Sequence, residues 1–197
     1  MDAFTISYIV LWALVILETV VVVVLLRAVG NLYLGSRHAI ERDGLPIGSK
    51  APEFDGQLLD GASFSSRNLA GRWRLLLFAL PTCQICRRLL PEIGRLSDEL
   101  GDEVAVRVLV RGTPALATAF AGGSPANVVS VSESVAARAF KVRVSPYATV
   151  VDPSGEVRAK GLVDRIEHVE HMLHEAGIHN EITARHEAER ERWHDHA

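Results

Sequence analysis

The only two cysteines of this 197-residue chain stand three positions apart, as Cys83-Gln84-Ile85-Cys86. Thiols at that spacing suit disulfide exchange. The first attacks a disulfide as a thiolate, and the second, one helical turn further in, strikes the mixed disulfide and closes a short bridge. For Cys83 to be the attacking sulfur its anion must be stabilised, and the N-terminus of a helix does this with unpaired N–H groups and the positive end of the dipole. Two thiols are too few for a disulfide scaffold or a four-thiolate zinc site. A Cys-x-x-Cys pair is nonetheless compatible with half a zinc ribbon or with two core cysteines, so its context has to decide. Arg87 and Arg88 follow at once, either favouring the thiolate or forming a solvated helix face.

The elements around the pair supply that context. Residues 74–80 are an apolar run too short for a typical helix and read as a buried central strand, ended by Pro81 and Thr82. Beyond Cys83, the residues Ile85, Leu89, Leu90, Ile93, Leu96 and Leu100 recur at helical spacing up to Gly101, with Pro91 inside the pattern. The cysteines therefore open a helix at the end of a strand. Upstream, Asp60-Gly61 marks a hairpin within 58–64. Downstream, the pattern predicts a strand at 104–110, helices at 114–120 and 134–140 and a strand at 127–131. A hairpin then joins 147–151 to 156–162 across Asp152-Pro153-Ser154-Gly155, and a last packed helix spans 165–176.

Residues 6–26 are almost continuously apolar, about 21 residues and about 30 Å as a helix, the thickness of a bilayer core. With only Asp2 ahead of the run and Arg27 after it, an uncleaved anchor is expected, placing the lipid bilayer among the partners. Glu18 falls within the span, as a contact for a membrane partner or as a tolerated lone acid. The organisation expected is an anchor over 1–29, a tether over 30–47, an α/β domain over 48–177 and a charged, His-containing tail over 178–197. Arg27, Arg37, Arg42 and Lys50 all follow the span, and the positive-inside tendency would keep the domain in the cytoplasm. A net charge of −3 without a basic block makes nucleic acid a poor candidate partner.

The stretch Phe78-Ala79-Leu80-Pro81-Thr82-Cys83-Gln84-Ile85-Cys86, with Pro91 downstream and Ser145-Pro146-Tyr147 before a strand, resembles the thioredoxin superfamily over about 48–177. The opening Gly48-Ser49-Lys50-Ala51-Pro52-Glu53-Phe54 is similar to the redoxin and TlpA-like branch, and with the anchor and the Pro81-Thr82-Cys83 approach the chain looks most like the MauD family of methylamine-utilisation accessory proteins. The resemblance implies a thioredoxin-like fold, a central mixed sheet flanked by helices, with Cys83 and Cys86 catalytic. It implies a cis Pro146 facing them, with Thr82, Ser145, Pro146 and Tyr147 meeting a client chain added as a strand. The implied activity is reduction or isomerisation of disulfides in exported client proteins. A membrane thiol-disulfide carrier would donate the electrons, and for a MauD-like role the client would be a disulfide-rich subunit of an amine dehydrogenase. This puts the domain on the extracytoplasmic, periplasmic side of the plasma membrane, against the arginine placement.

Two positions depart from the family pattern. The acid that thioredoxins bury six residues before the first cysteine is replaced by Leu77, and the acid that TlpA-like reductases place three after the second is replaced by Leu89, so proton transfer from Cys86 would have to use water or a substrate group. A peroxidase reading fails on spacing, since it needs a hydroxyl residue three before its cysteine and Thr82 stands one before Cys83 and four before Cys86. His168, His171 and His174 recur on the last helix, but no thiolate or carboxylate set closes a site, and a solvated face is the expectation. The chemistry requires no metal and no cofactor. The competing class is a non-catalytic module in which the surface around Pro146 holds a partner and the cysteines lock its shape; redox cycling separates the two.

Overall fold

The computed structural model describes residues 8, 11–23, 43–123, 127–132 and 134–178. The chain divides into two compact units, Met1–Arg42 and Asp43–Ala197. In the first, residues 11–23 form a helix, α1, whose side chains are apolar apart from Glu18 and Thr19; the Thr19 hydroxyl donates to the Val15 carbonyl at 2.8 Å. At 1.5 Å per residue the described stretch of α1 is about 20 Å long. Among the described residues no helix is long and apolar enough to cross a membrane. The rest of the expected span, 6–7, 9–10 and 24–26, lies outside the described residues, as do the tether up to Arg42 and the tail from His179.

The second unit is built on one seven-stranded mixed sheet. In chain order its elements are β1 (Asp55–Leu58), β2 (Ser63–Ser65), β3 (Trp73–Ala79), α2 (Gln84–Leu100), β4 (Val104–Arg111), α3 (Pro114–Ala121), β5 (Val128–Val131), β6 (Tyr147–Val151), β7 (Val157–Leu162) and α4 (Ile166–Glu175). The strands lie in the order β2-β1-β5-β4-β3-β6-β7. β3, β4 and β5 run parallel, joined by α2 and α3, while β6 lies antiparallel to β3 and β7 to β6.

Local chemistry sets these elements. β3 is central and buried on both faces, which is why Leu75, Leu76, Leu77, Phe78 and Ala79 are all apolar with no alternation. Alternate β3 residues feed two cores. Leu75, Leu77 and Ala79 pack with Cys86, Leu89, Leu90 and Ile93 of α2 and with residues of α3 and α4. Leu76 and Phe78 pack on the other face with Phe54, Phe64, Phe140 and Tyr147. α2 stops at Gly101, whose φ of 55° an L side chain rarely adopts. α3 opens with Pro114 behind Thr113, whose hydroxyl accepts from the Leu116 N–H at 3.4 Å. In the β6–β7 turn, Asp152 Oδ1 accepts from the Glu156 N–H at 2.9 Å and the Ser154 hydroxyl at 2.6 Å.

Two expectations change. Residues 134–139 form a π-type turn in place of an α-helix, with the Phe140 N–H donating to the Val135 carbonyl at 3.0 Å, and this tucks Phe140 against Phe78 and Phe54. Residues 43–47, assigned from composition to the tether, belong to the packed unit: Asp43 and Leu45 are buried and Gly44 N–H donates to the Lys141 carbonyl at 3.1 Å.

Candidate redox site

The chain leaves β3 at Ala79, and Pro81 and Thr82 turn it into α2. Cys83 is the N-cap of that helix: its sulfur accepts from the Cys86 N–H at 3.1 Å, its carbonyl accepts from the Arg87 N–H at 3.2 Å, and its own N–H donates to the Leu80 carbonyl at 3.0 Å. The expected position at a helix N-terminus is therefore the observed one. Cys83 and Cys86 form a disulfide with Cα atoms 5.3 Å apart. The two sulfurs differ in access, since Cys83 is half-buried and Cys86 has no exposed surface. Cys83 is therefore the sulfur that an incoming thiol can reach.

Aliphatic side chains surround Cys86. Leu77 is fully buried and Leu89 is 2% exposed, both in its core cluster, so neither position brings a carboxylate to Cys86. Arg87 is not a loose solvated side chain: its guanidinium donates to the Pro81 carbonyl at 3.1 Å and lies 6.0 Å from the centroid of Phe120. This holds a cation at the turn that carries the pair, a link the sequence left as one of two alternatives.

The other expected residues arrive from β6. In the β3–β6 register the last pair is Phe78 with Tyr147, so Ser145 and Pro146 lead into β6 at the end of β3 from which the cysteine turn departs. The Ser145–Pro146 peptide bond is cis, the isomer the resemblance implied. Pro146 is buried and its carbonyl accepts from the Val163 N–H at 3.2 Å. Among the described residues, neither the N–H nor the carbonyl of Ser145 bonds to another backbone group, and its buried hydroxyl oxygen has no partner. That leaves a backbone segment open to an added strand. Thr82 is exposed in the turn before Cys83.

Tyr147 needs correction as a client-contacting side chain. It is fully buried in the core on the sheet face opposite Cys86, and its hydroxyl donates to the Asp43 carbonyl at 2.7 Å. Burial, with the Asp43 charge adding to it, pushes its phenol well above the usual tyrosine range. Of the helical histidines, His168 lies 3.1 Å from Asp164 and His171 3.4 Å from Glu175, surface pairs within one helical turn.

A profile of the AhpC/TSA family matches residues 47–160. The methylamine utilization protein MauD of Paracoccus versutus is 33% identical over 171 residues, covering 85% of this chain and 86% of the relative, and that of Paracoccus denitrificans is 34% identical over 176 residues with the same coverage. The chain belongs to the AhpC/TSA and MauD families. Among solved structures, the thioredoxin domain of a thiol-disulfide oxidoreductase from Bacteroides vulgatus matches with a TM-score of 0.56 at 23% identity, over 64% of this chain and 97% of that one. A thiol:disulfide interchange protein from Bacteroides sp. matches with the same TM-score and identity, over 66% and 91%. These likenesses establish the thioredoxin-like fold. A MauD-family chain on that fold, with its Cys-x-x-Cys pair closed at a helix N-cap, is a thiol-disulfide oxidoreductase.

Proposed function

We propose that the protein is a membrane-anchored reductant or isomerase of disulfides in exported client proteins, with Cys83 as nucleophile, Cys86 as resolving thiol and the Ser145–Pro146 backbone, with Thr82, as the client-binding edge. The observation that carries this reading is the unequal access of the two sulfurs at the cap of α2, with Cys83 half-buried and Cys86 wholly enclosed. In the reduced protein, the Cys83 thiolate attacks one sulfur of the client disulfide, and the first client thiolate leaves. The Cys86 sulfur then attacks Cys83, the second client thiolate leaves, and two electrons have passed to the client as the Cys83–Cys86 bond forms. If the client rearranges before Cys86 acts, Cys83 leaves unchanged and the outcome is isomerisation.

The return of electrons requires a dithiol, and the apolar segment 6–26 supports a membrane carrier as its source and the bilayer as its location. The match to methylamine utilization proteins along nearly their whole length supports a related role, with a disulfide-rich amine dehydrogenase subunit as client and the domain on the periplasmic side. Labelling of intact cells tests the topology: a membrane-impermeant maleimide that reaches Cys83 after external reduction agrees with this placement, and one that labels only after lysis contradicts it. Incubation of the pre-reduced chain with a disulfide-bonded polypeptide tests the activity: wild type becomes oxidised as client thiols appear, Cys86→Ser stalls as a mixed disulfide, and Cys83→Ser does neither. A pair that resists reduction in the folded chain would instead mark a non-catalytic binding module.

A further inference from the structure

Asp43 and Gly44 precede the 47–160 family match, yet they grip the loop that carries Ser145 and Pro146 on both sides. The Asp43 carboxylate takes two bonds from Arg143, at 3.3 Å from its backbone N–H to Oδ2 and at 3.2 Å from Nε to Oδ1. The Asp43 carbonyl accepts from the Tyr147 hydroxyl at 2.7 Å and from Lys160 Nζ at 2.8 Å, while the Gly44 N–H reaches the Lys141 carbonyl at 3.1 Å. Lys141 itself has a φ of 57°, rare for a side-chain-bearing residue, so the loop adopts a path that its neighbours must hold. Residues 141–146 have no helix or strand pairing of their own. A segment with so few internal bonds moves unless it is braced, and a backbone that is to accept an incoming strand has to be presented in register.

We propose that Asp43 is a positioning residue for the client-binding loop: its buried carboxylate fixes the Arg143 backbone, and through it the backbone of Ser145 and Pro146, without touching the cysteines. This rests on the reading of that loop as the client edge. The clamp is separable from folding. The Asp43 side chain is 6% exposed while that of Arg143 is 75% exposed, so removing the carboxylate leaves the arginine in water, and the bonds from Tyr147 and Lys160 go to the Asp43 backbone carbonyl, which Asp43→Ala retains.

The test uses the purified full chain with two oxidants: insulin, a polypeptide disulfide that needs the loop, turned over with dithiothreitol as electron donor, and 5,5′-dithiobis(2-nitrobenzoate), a small disulfide that needs only Cys83, in a single turnover of the pre-reduced chain. Asp43→Ala is expected to lower kcat/KM for insulin by roughly three- to thirtyfold, the range for a residue acting through another, and mainly through KM. Its rate with the small disulfide and its Cys83–Cys86 potential against glutathione stay near wild type. Asp43→Asn, which keeps an oxygen for the Arg143 N–H, loses less. An insulin rate unchanged in Asp43→Ala, or an equal fall with both oxidants, overturns the proposal. Pro146→Ala separates the two levels. If it loses insulin selectivity and Asp43→Ala does not, the positioning role fails alone; if neither does, the client-edge reading fails and takes the positioning role with it.

Discussion

Replacing Gly44 by alanine tests the packing that braces the loop. Gly44 has a φ of 73°, and a Cβ there would lie 2.9 Å from two ring carbons of Tyr147. The ring cannot retreat: it is fully buried, its hydroxyl is bonded to Asp43, and its backbone is paired to Phe78 on one side and Leu162 on the other. Two costs add, about 1–2 kcal/mol for a left-handed L-residue and about 1–3 kcal/mol for overpacking, giving about 2–5 kcal/mol. Gly48→Ala is the matched control. Its φ is 82°, with nothing within 4 Å of an added Cβ, so it bears the backbone cost alone. Urea unfolding of the oxidised chain, followed by near-UV circular dichroism, should place the Gly44→Ala midpoint about 0.5–1.5 M below that of Gly48→Ala, for a slope near 2 kcal/mol/M. Midpoints that coincide would mean that Tyr147 is not pressed against residue 44, and the bracing argument would fall.

Tyr147→Phe should cost about 1 kcal/mol at neutral pH, for one lost hydrogen bond. Because the folded-state phenol titrates above its unfolded value of about 10, its contribution is fully present below pH 10 and is lost as pH rises through the folded value, so the variant should lack part of the alkaline fall in stability that wild type shows. At the acid end, burial raises the Asp152 pKa, but bonds from the Ser154 hydroxyl and the Glu156 and Ser154 N–H groups, with Arg158 nearby, outweigh it and leave the pKa lowered. Its contribution is present above about pH 4 and disappears as pH falls through the folded value, so acid titration of Asp152→Asn should show a shallower loss than wild type. After reduction, iodoacetamide should modify Cys83 well before Cys86, as mass spectrometry of partial digests would read; equal rates would contradict the enclosure of Cys86.

Much of the site's frame was legible in the chain. The unbroken apolar run into Pro81, the helical recurrence from Ile85 to Leu100 and the glycine that ends it are local signals, and they place the cysteines at a strand-to-helix junction without reference to any tertiary contact. The Asp152-Pro153-Ser154-Gly155 turn likewise announced its hairpin. What stayed hidden depends on partners distant in sequence. Asp43 reads as tether because its bonds go to Arg143, Tyr147 and Lys160, about a hundred positions away. Tyr147 was assigned to the client edge because it adjoins Pro146, but alternation along a strand turns the next side chain to the opposite face, into the Phe78 and Phe140 cluster. Residues 134–139 have helical composition, yet docking Phe140 against Phe54 and Phe78 draws them into a wider turn.

The central claim is that Cys83 and Cys86 cycle between disulfide and dithiol and deliver electrons to a client. The measurement that tests it most directly is equilibration of the full chain against graded glutathione and dithiothreitol buffers, with the dithiol fraction read by alkylation mass shift. The account predicts a reversible two-electron titration at roughly −270 to −180 mV, between a thioredoxin-like reductant and an isomerase. A pair that never titrates in the folded chain, or one poised near roughly −120 mV as a disulfide donor, would contradict it.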